Sequence, residues 1–131
     1  MRTLIAEDDF TSRLLLQAFL SRYGECHVAI NGKEAVESFR LSLQNGRRYN
    51  LVCLDIMMPE MDGQQAVREI RALEEAAGFL STSGSKIIMI TALDDVKNVV
   101  TSFKALCDAY IFKPVEIANL LTQLKSLQLV S

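Results

Sequence analysis

Five short apolar runs, separated by segments with helical spacing, constrain the fold of this chain more than any other feature. The runs cover residues 3–6, 26–30, 51–54, 86–90 and 109–112. The third and fourth are almost entirely apolar, which is typical of parallel strands covered on both faces. The second run alternates, so we expect it at an edge of the sheet. It contains the only histidine, His27, which we interpret as a solvent-facing strand residue because nothing acidic accompanies it.

The segments between the runs carry apolar residues at i, i+3 and i+4, the spacing of a helix that packs one face on a sheet. The predicted stripes are, in chain order, Leu14, Leu15, Ala18 and Phe19; Ala35, Val36, Phe39 and Leu43; Ala66, Val67, Ile70 and Leu73; Val96, Val99, Val100 and Phe103; and Ile117, Leu120, Leu121, Leu124 and Leu127. Asn31 and Asp62 are predicted to cap the second and third helices. This alternation predicts a doubly wound α/β domain with helices on both faces of a parallel sheet.

Length and composition are those of one globular domain over residues 1–131. Half of the residues are hydrophobic and 23% are charged, close to the globular average. No apolar run approaches the roughly 18 residues that cross a bilayer, and the N-terminus turns acidic before a signal-peptide core could form. The three cysteines lie far apart and lack the spacing of a zinc site. We therefore expect a cytoplasmic protein without membrane attachment.

The charge balance argues against direct nucleic-acid binding. The chain has 14 Lys and Arg against 16 Asp and Glu, whereas a duplex-binding domain usually shows a clustered basic excess. One connection, residues 74–85, is long and rich in Ser and Gly. We interpret it as an extension of the third helix followed by a surface loop. A partner-binding segment is the alternative.

Polar residues follow four of the strands at their carboxyl ends, where open α/β sheets bind ligands. Glu7 and Asp8 follow the first strand, Asp55 the third, Thr91 the fourth and Lys113 the fifth. If these strands are neighbours, three carboxylates share one pocket. Two carboxylates about 4 Å apart repel by roughly 4 kcal/mol at an effective dielectric near 20, and Lys113 supplies one positive charge. The pattern therefore predicts a divalent cation, and an all-oxygen ligand set favours Mg²⁺.

The same residues predict phosphoryl chemistry. With Mg²⁺ present, Asp55 becomes a carboxylate nucleophile that faces a charge-neutralised phosphoryl group. Lys113 can pair with the phosphate oxygens, and the Thr91 hydroxyl can hydrogen-bond to one of them. Two purely structural interpretations stay open: Thr91 as an ordinary helix N-cap and Lys113 as a surface lysine.

These strand-end residues resemble the signature of response-regulator receiver domains of two-component signalling. The motifs are Glu7-Asp8, Asp55, Thr91-Ala92, Lys113-Pro114 and the segment Asp55-Ile-Met-Met-Pro-Glu-Met-Asp-Gly63. The resemblance covers residues 4 to about 127. It implies a flavodoxin-like, CheY-like fold: a doubly wound five-stranded parallel sheet of order 2-1-3-4-5 with helices on both faces.

The resemblance also implies a role for each site residue. Asp55 resembles the phosphorylated aspartate, and Lys113 the phosphate-binding lysine. Asp8 would bind Mg²⁺ directly and Glu7 through water, while Asp55 and the backbone carbonyl of Met57 complete the protein ligands.

A conformational switch and two partners follow from the same resemblance. Thr91 would be the switch hydroxyl and Tyr110 the aromatic that changes rotamer with it; plain strand packing is the alternative for Tyr110. Asp9, an acid beyond the usual pair, is expected to face solvent. A histidine kinase or histidine phosphotransfer protein would donate the phosphoryl group. An output protein or domain would bind the face built from the fourth helix, the fifth strand and the fifth helix.

The leading hypothesis is therefore a signalling switch and not an enzyme with a separate substrate. Phosphorylation of Asp55 would bias residues 91–113 towards an active arrangement, and the domain would assist its own phosphorylation and dephosphorylation. The alternative is an aspartyl-phosphate phosphatase or a flavin-binding domain on a similar fold. The phosphatase would need a second acid where Met57 stands, and acidic residues 7–9 would repel a flavin phosphate. A receiver-like domain that signals without phosphorylation is a third hypothesis, and the chain could be free-standing or part of a longer regulator.

Overall fold

Five parallel strands form a single sheet in the computed structural model, which describes residues 1–58, 60–79, 83–92 and 106–131. The strands are β1 (Thr3–Ala6), β2 (Cys26–Ala29), β3 (Leu51–Asp55), β4 (Lys86–Thr91) and β5 (Ala109–Phe112). Their order is β2-β1-β3-β4-β5, and every neighbouring pair is parallel. The predicted sheet order and the edge position of the second run are confirmed.

Within the described ranges three helices connect strands and a fourth follows β5. They are α1 (Phe10–Leu20), α2 (Gly32–Gln44), α3 (Gly63–Ala76) and α4 (Ile117–Ser126), and α4 corresponds to the fifth predicted helix. The fourth predicted helix, with its stripe at 96–103, lies outside the described residues. None of the four helices is long and apolar enough to cross a membrane.

Both predicted N-caps are present. The side chain of Asn31 accepts a hydrogen bond from the Glu34 N–H at 2.8 Å, and that of Asp62 accepts one from the Gln65 N–H at 2.9 Å. Each satisfies a backbone donor that the first helical turn leaves without a partner. These caps fix where α2 and α3 begin.

Two apolar layers cover the two faces of the sheet. The layer that contains α2 and α3 includes Leu4, Phe39, Val52, Val67, Ile70 and Ile87. The layer that contains α1 and α4 includes Ile5, Leu16, Leu20, Cys53, Ile88, Leu120 and Leu124. Neighbouring residues of one strand fall in opposite layers, as side-chain alternation requires. The central strands are therefore buried on both faces, as their continuous apolar runs predict.

The buried face of α1 differs from the predicted one. Leu14 and Leu15 are 54% and 39% exposed, whereas Leu16, Phe19 and Leu20 are buried. Both sets have the i, i+3, i+4 spacing, because three consecutive leucines allow two registers of the same helix. Of the predicted stripe only Phe19 is buried, and α1 leaves the apolar side chains of Leu14 and Leu15 in solvent.

The long connection between α3 and β4 begins with the predicted extension of α3, which ends at Ala76, and a buried carboxylate in that extension holds the far end of the connection. Glu74 is 2% exposed, and its carboxylate accepts hydrogen bonds from the Ser85 N–H and from Arg71 Nη1, each at 2.6 Å. Arg71 also donates from Nε to the Leu106 carbonyl at 2.8 Å and from Nη2 to Asp108 at 3.0 Å. This Arg71 cluster ties α3 to the starts of β4 and β5.

His27 has an acidic neighbour, contrary to the sequence interpretation. Its Nδ1 lies 2.7 Å from the Tyr49 hydroxyl, and its Nε2 lies 3.0 Å from a Glu25 carboxylate oxygen. Tyr49 is buried, with 3% of its surface exposed. The histidine therefore links the edge strand to the buried tyrosine, which is a structural role.

Candidate functional site

Parallel pairing brings the predicted site residues to one end of the sheet. Ala6 of β1 pairs with Leu54 of β3, so the next residues, Glu7 and Asp55, leave the two strands at the same level. Asp55 in turn pairs with Ile90 of β4. Acidic side chains 48 positions apart in the chain therefore meet at the carboxyl edge.

Lys113 reaches this acidic edge from β5. Its Nζ lies 2.8 Å from Asp55 Oδ2 and 3.5 Å from Glu7 Oε1. Its backbone is fixed because the Lys113 N–H donates to the Thr91 carbonyl at 2.8 Å, and the peptide bond to Pro114 is cis. Burial lowers the pKa of Lys113, but the hydrogen bond and charge of Asp55, with the charge of Glu7, outweigh burial and raise it. The ammonium form is thus the stable one, and Lys113 is not a surface lysine without a partner.

Three carboxylates meet beside this ammonium. Glu7, Asp8 and Asp55 each offer an oxygen within 4.8 Å of the others. Glu7 is fully buried and Asp55 is 1% exposed, whereas Asp8 is exposed. The pKa of Glu7 is raised to about 8, mainly by burial. The hydrogen bond that a protonated Glu7 shares with Asp55 and the negative charge of Asp55 also raise it, whereas the positive charge of Lys113 lowers it. A proton on Glu7 therefore relieves the crowding at neutral pH.

This donor set fits a divalent cation. Once all three carboxylates are ionised, the Lys113 ammonium leaves two negative charges uncompensated. Neither carboxylate oxygen of Glu7 has a hydrogen-bond donor within the described part of the chain, and buried acceptors of this kind are costly unless a cation or its water shell satisfies them. Hard oxygen ligands of this number suit Mg²⁺, which keeps several waters. The structure thus brings together the three carboxylates predicted to bind metal.

The loop after Asp55 is held close to the end of β3. The Met57 N–H donates to Asp55 Oδ1 at 3.2 Å, while the Met57 side chain is 66% exposed. The Gly63 N–H donates to the Ile56 carbonyl at 2.9 Å. A Cβ on Gly63 would lie 2.4 Å from the Asp55 carbonyl oxygen, so glycine is required for the close approach of α3. This contact fixes the backbone that carries Asp55.

The two predicted switch residues lie on neighbouring strands. Thr91 ends β4 and is 1% exposed, and its hydroxyl donates to the Ala92 carbonyl at 3.1 Å. Tyr110 lies on the edge strand β5 with 37% of its surface exposed, and its ring centroid is 5.6 Å from that of Phe112. Their position is suited to carrying a change from the site to the edge, and the switching itself stays a prediction.

Two residues at the start of α1, its N-cap Asp9 and Arg13 of the helix itself, lie next to the acidic pair. Asp9 is exposed, as predicted, and its carboxylate caps α1 by accepting the Ser12 N–H at 2.9 Å; this hydrogen bond lowers the pKa of Asp9. Arg13 was missed by the sequence reasoning: its Nη1 donates to the Glu7 carbonyl at 3.0 Å and to the Asp8 carbonyl at 3.3 Å. The one available signal was an arginine shortly after an acidic pair at a helix start.

Comparison with known proteins agrees with this geometry. The profile of the "Response regulator receiver domain" family matches residues 3–125. The chain belongs to this family, and it is a receiver domain of the two-component response regulators. Such a domain is a signalling module.

Individual relatives give the same result. The chain is 35% identical to the transcriptional regulatory protein SrrA of Staphylococcus aureus over 125 residues, which is 95% of this chain and 46% of SrrA. It spans just under half the length of the curated relatives it matches. The CheX–CheY–BeF3–Mg²⁺ complex of Borrelia burgdorferi aligns with TM-score 0.78 and 28% identity, covering 100% of this chain and 90% of that one. The receiver domain of the histidine kinase CKI1 of Arabidopsis thaliana, complexed with Mg²⁺ and BeF3⁻, aligns with TM-score 0.73 and 27% identity, covering 95% and 89%.

Proposed function

We propose that Asp55 accepts a phosphoryl group and that Glu7, Asp8, Asp55 and the carbonyl of Met57 hold Mg²⁺ beside it. The observation that carries the proposal is the buried Asp55 carboxylate, 2.8 Å from the Lys113 ammonium and within 4.8 Å of two further carboxylates. The Asp55 carboxylate is the nucleophile, and the Lys113 ammonium beside it supplies a positive charge for the phosphoryl oxygens. The Mg²⁺ and BeF3⁻ named with two similar receiver domains support the same assignment.

The transfer step balances with these groups. An oxygen of the ionised Asp55 carboxylate forms a bond to phosphorus, while the bond from phosphorus to the donor nitrogen breaks and leaves its electron pair on the imidazole. Lys113, already paired with Asp55, then pairs with a phosphoryl oxygen, and the Thr91 hydroxyl donates to another. When bound, Mg²⁺ neutralises charge on the phosphoryl group. Glu7 releases its proton to solvent as the cation site fills.

We infer that a histidine kinase or histidine phosphotransfer protein supplies the phosphoryl group. We also infer that an output partner binds at the β5 edge of the sheet and responds to its conformation. The candidate output face comprises β5, α4 and the predicted helix at 96–103. A groove of about 410 Å³ on this face is lined by Tyr110, Phe112, Asn119 and Gln123, among others. A change at Thr91 reaches this groove through the β4–β5 pairing, because Thr91 pairs with Phe112.

The enzyme alternatives fit the site less well. A phosphatase on this fold would need a general acid at position 57, but that residue is an exposed methionine. We propose instead that the domain assists its own phosphorylation and slow dephosphorylation. Met57 is apolar and stands two residues after Asp55, where it hinders a water molecule from reaching the phosphoryl group in line.

Intact-mass analysis after incubation with acetyl phosphate tests the proposal. The parent should gain one phosphoryl group with Mg²⁺ and none with EDTA, and Asp55→Asn should gain none under either condition. Asp9→Asn is the matched control, since it makes the same chemical change nearby and asparagine still caps α1; it should behave as the parent. A phosphoryl group that still adds to Asp55→Asn would refute the assignment.

A further inference from the structure

The backbone of the acidic pair is held from both sides. On one side the Glu7 N–H donates to the Ala29 carbonyl of β2 at 3.1 Å. On the other side Arg13 Nη1 donates to the Glu7 carbonyl at 3.0 Å and to the Asp8 carbonyl at 3.3 Å. β1 ends at Ala6, so both carbonyls lie beyond the strand pairing and the guanidinium takes the place of a strand partner.

The choice of acceptor by Arg13 is informative. A guanidinium beside three carboxylates would form its strongest hydrogen bonds with a carboxylate, yet these two bonds go to the backbone carbonyls of Glu7 and Asp8. The oxygens suited to a cation are therefore left to the site. The guanidinium also lies over the Phe10 ring, 5.6 Å from its centroid, which orients it further.

Asp8 needs such support more than the other acidic residues. Asp55 belongs to β3, and the following Ile56 N–H donates to the Ile90 carbonyl at 3.0 Å, so the strand pairing fixes its position. Asp8 is exposed and lies in the loop between β1 and α1. Its carboxylate can bind a cation at full strength only if this loop is already ordered, because ordering one residue on binding costs roughly 1–2 kcal/mol.

We propose that Arg13 is a positioning residue, which holds the Glu7–Asp8 backbone in the geometry that binds Mg²⁺; this inference rests on the proposed function. We assign it no contact with the phosphoryl group, because its side chain is bound to the backbone carbonyls of Glu7 and Asp8. Two opposite effects make the proposal testable. As a cation, Arg13 repels Mg²⁺, so the loss of its charge alone would tighten Mg²⁺ binding. As a positioning group, its loss would weaken binding, and positioning is the larger effect.

Isothermal titration calorimetry with MgCl2, without any phosphodonor, shows directly whether the loss of Arg13 tightens or weakens Mg²⁺ binding. Arg13→Gln should raise the Kd for Mg²⁺ about tenfold, the usual cost of losing a group that supports a metal ligand. Arg13→Lys should recover part of the loss, because an ammonium can still donate to one carbonyl. Arg22→Gln is the matched control: Arg22 is exposed and follows the opposite end of α1, so this variant should retain the parent's Kd. Unfolding in EDTA shows whether each variant is folded.

A second measurement separates positioning from general damage. With acetyl phosphate, Arg13→Gln should need more Mg²⁺ for half-maximal phosphorylation but approach the parent's rate at saturating Mg²⁺. An unchanged or lower Kd for Mg²⁺ in Arg13→Gln would overturn the proposal, as would an equal loss in Arg22→Gln. Failure of the proposed function is a separate result, read from phosphorylation of Asp55→Asn.

Discussion

Lys113 Nζ lies 2.8 Å from Asp55 Oδ2, although 58 residues separate the two in the chain. The ion pair crosses from β5 to β3 over the end of β4. It places the only positive charge among the described residues within 4 Å of the buried carboxylates Glu7 and Asp55. The charge of the resting site is therefore balanced by the Lys113 ammonium and a proton on Glu7, and under the proposed function both would be displaced when a cation and a phosphoryl group bind.

Replacing Lys113 should destabilise the resting domain. Lys113→Met leaves Asp55 and Glu7 without their counter-ion, and breaking a partly buried pair of this kind should cost about 2 kcal/mol in the free energy of unfolding at pH 8. The cost should be smaller at pH 6, because Glu7 is then protonated. Urea unfolding in EDTA measures both values. Lys33→Met, at an exposed position of α2, should cost less than about 0.5 kcal/mol; an equal loss in both variants would contradict this prediction.

Stability without metal should fall as the pH rises from about 5 to 8. The pKa of Glu7 is raised from an ordinary value of 4.5 to about 8, so between these values the folded state binds a proton that the unfolded state has released. The free energy of unfolding then decreases by up to about 1.4 kcal/mol per pH unit. Urea unfolding in EDTA at pH 5, 6, 7 and 8 tests the slope.

Glu7→Gln is the control for the pH effect. Glutamine resembles the protonated glutamic acid and does not titrate, so this variant should lose most of the slope and be the more stable protein at pH 8. Saturating Mg²⁺ should flatten the parent's slope as well, because the cation takes the place of the proton. A parent that keeps constant stability across this pH range would show that Glu7 is ionised throughout.

The Arg71 cluster should behave as a buried network. Arg71→Met removes the guanidinium that lies 2.6 Å from the buried Glu74 carboxylate and 3.0 Å from Asp108. We expect a loss of about 3 kcal/mol in the free energy of unfolding, because a buried charge is left without its partner. Arg40→Met is the matched control, since Arg40 and Glu37 form an i, i+3 pair of the opposite chain order on an exposed helix surface; its cost should stay below about 0.5 kcal/mol.

A double variant identifies the cause of that loss. Arg71→Met combined with Glu74→Gln removes the uncompensated charge, while the glutamine oxygen can still accept the Ser85 N–H. The double variant should therefore be more stable than Arg71→Met alone. If it is less stable, then packing around Arg71, and not the charge of Glu74, accounts for the loss.

Gly63→Ala should disturb the loop after Asp55 even though alanine is the better helix former by up to about 1 kcal/mol. The added methyl group would lie 2.4 Å from the Asp55 carbonyl oxygen, so β3 and α3 must separate. We expect a net loss of about 1–3 kcal/mol in the free energy of unfolding and slower phosphorylation by acetyl phosphate. Gln65→Ala, in the same turn but exposed, should change neither; normal phosphorylation of Gly63→Ala would show that the loop accommodates the methyl group.

The layered fold could be predicted because each strand and helix carries its own periodicity. Sheet order came from the family resemblance, since alternation alone does not say which strands are neighbours. The face of α1 could not be predicted: Leu14 and Leu16 are equally apolar, and only packing against β1 and its neighbours selects Leu16. The buried state of Glu74 was equally hidden, because one of its two partners, Ser85, lies outside α3, beyond the long connection.

The site was predictable to the extent that it is built from side chains at strand ends. Asp55 and Lys113 could be placed together because parallel strands share a carboxyl edge. The contribution of Arg13 was not predicted, because it acts on backbone carbonyls, and its position shortly after an acidic pair does not show which atoms it contacts. The burial of the Glu7 carboxylate, whose oxygens have no hydrogen-bond donor among the described residues, likewise depends on how closely the layers pack over β1.

The Arg71 cluster lies at the amino ends of β4 and β5, whereas Lys113 and Asp55 lie at the carboxyl ends of β5 and β3. The two charge groups share no residue, and β4 alone, at about 3.3 Å per residue, keeps them well over a Debye length apart. Substitutions at the Arg71 cluster could therefore raise thermal stability while substitutions near Asp55 and Lys113 change the chemistry of the site. The effects of the two sets should be additive.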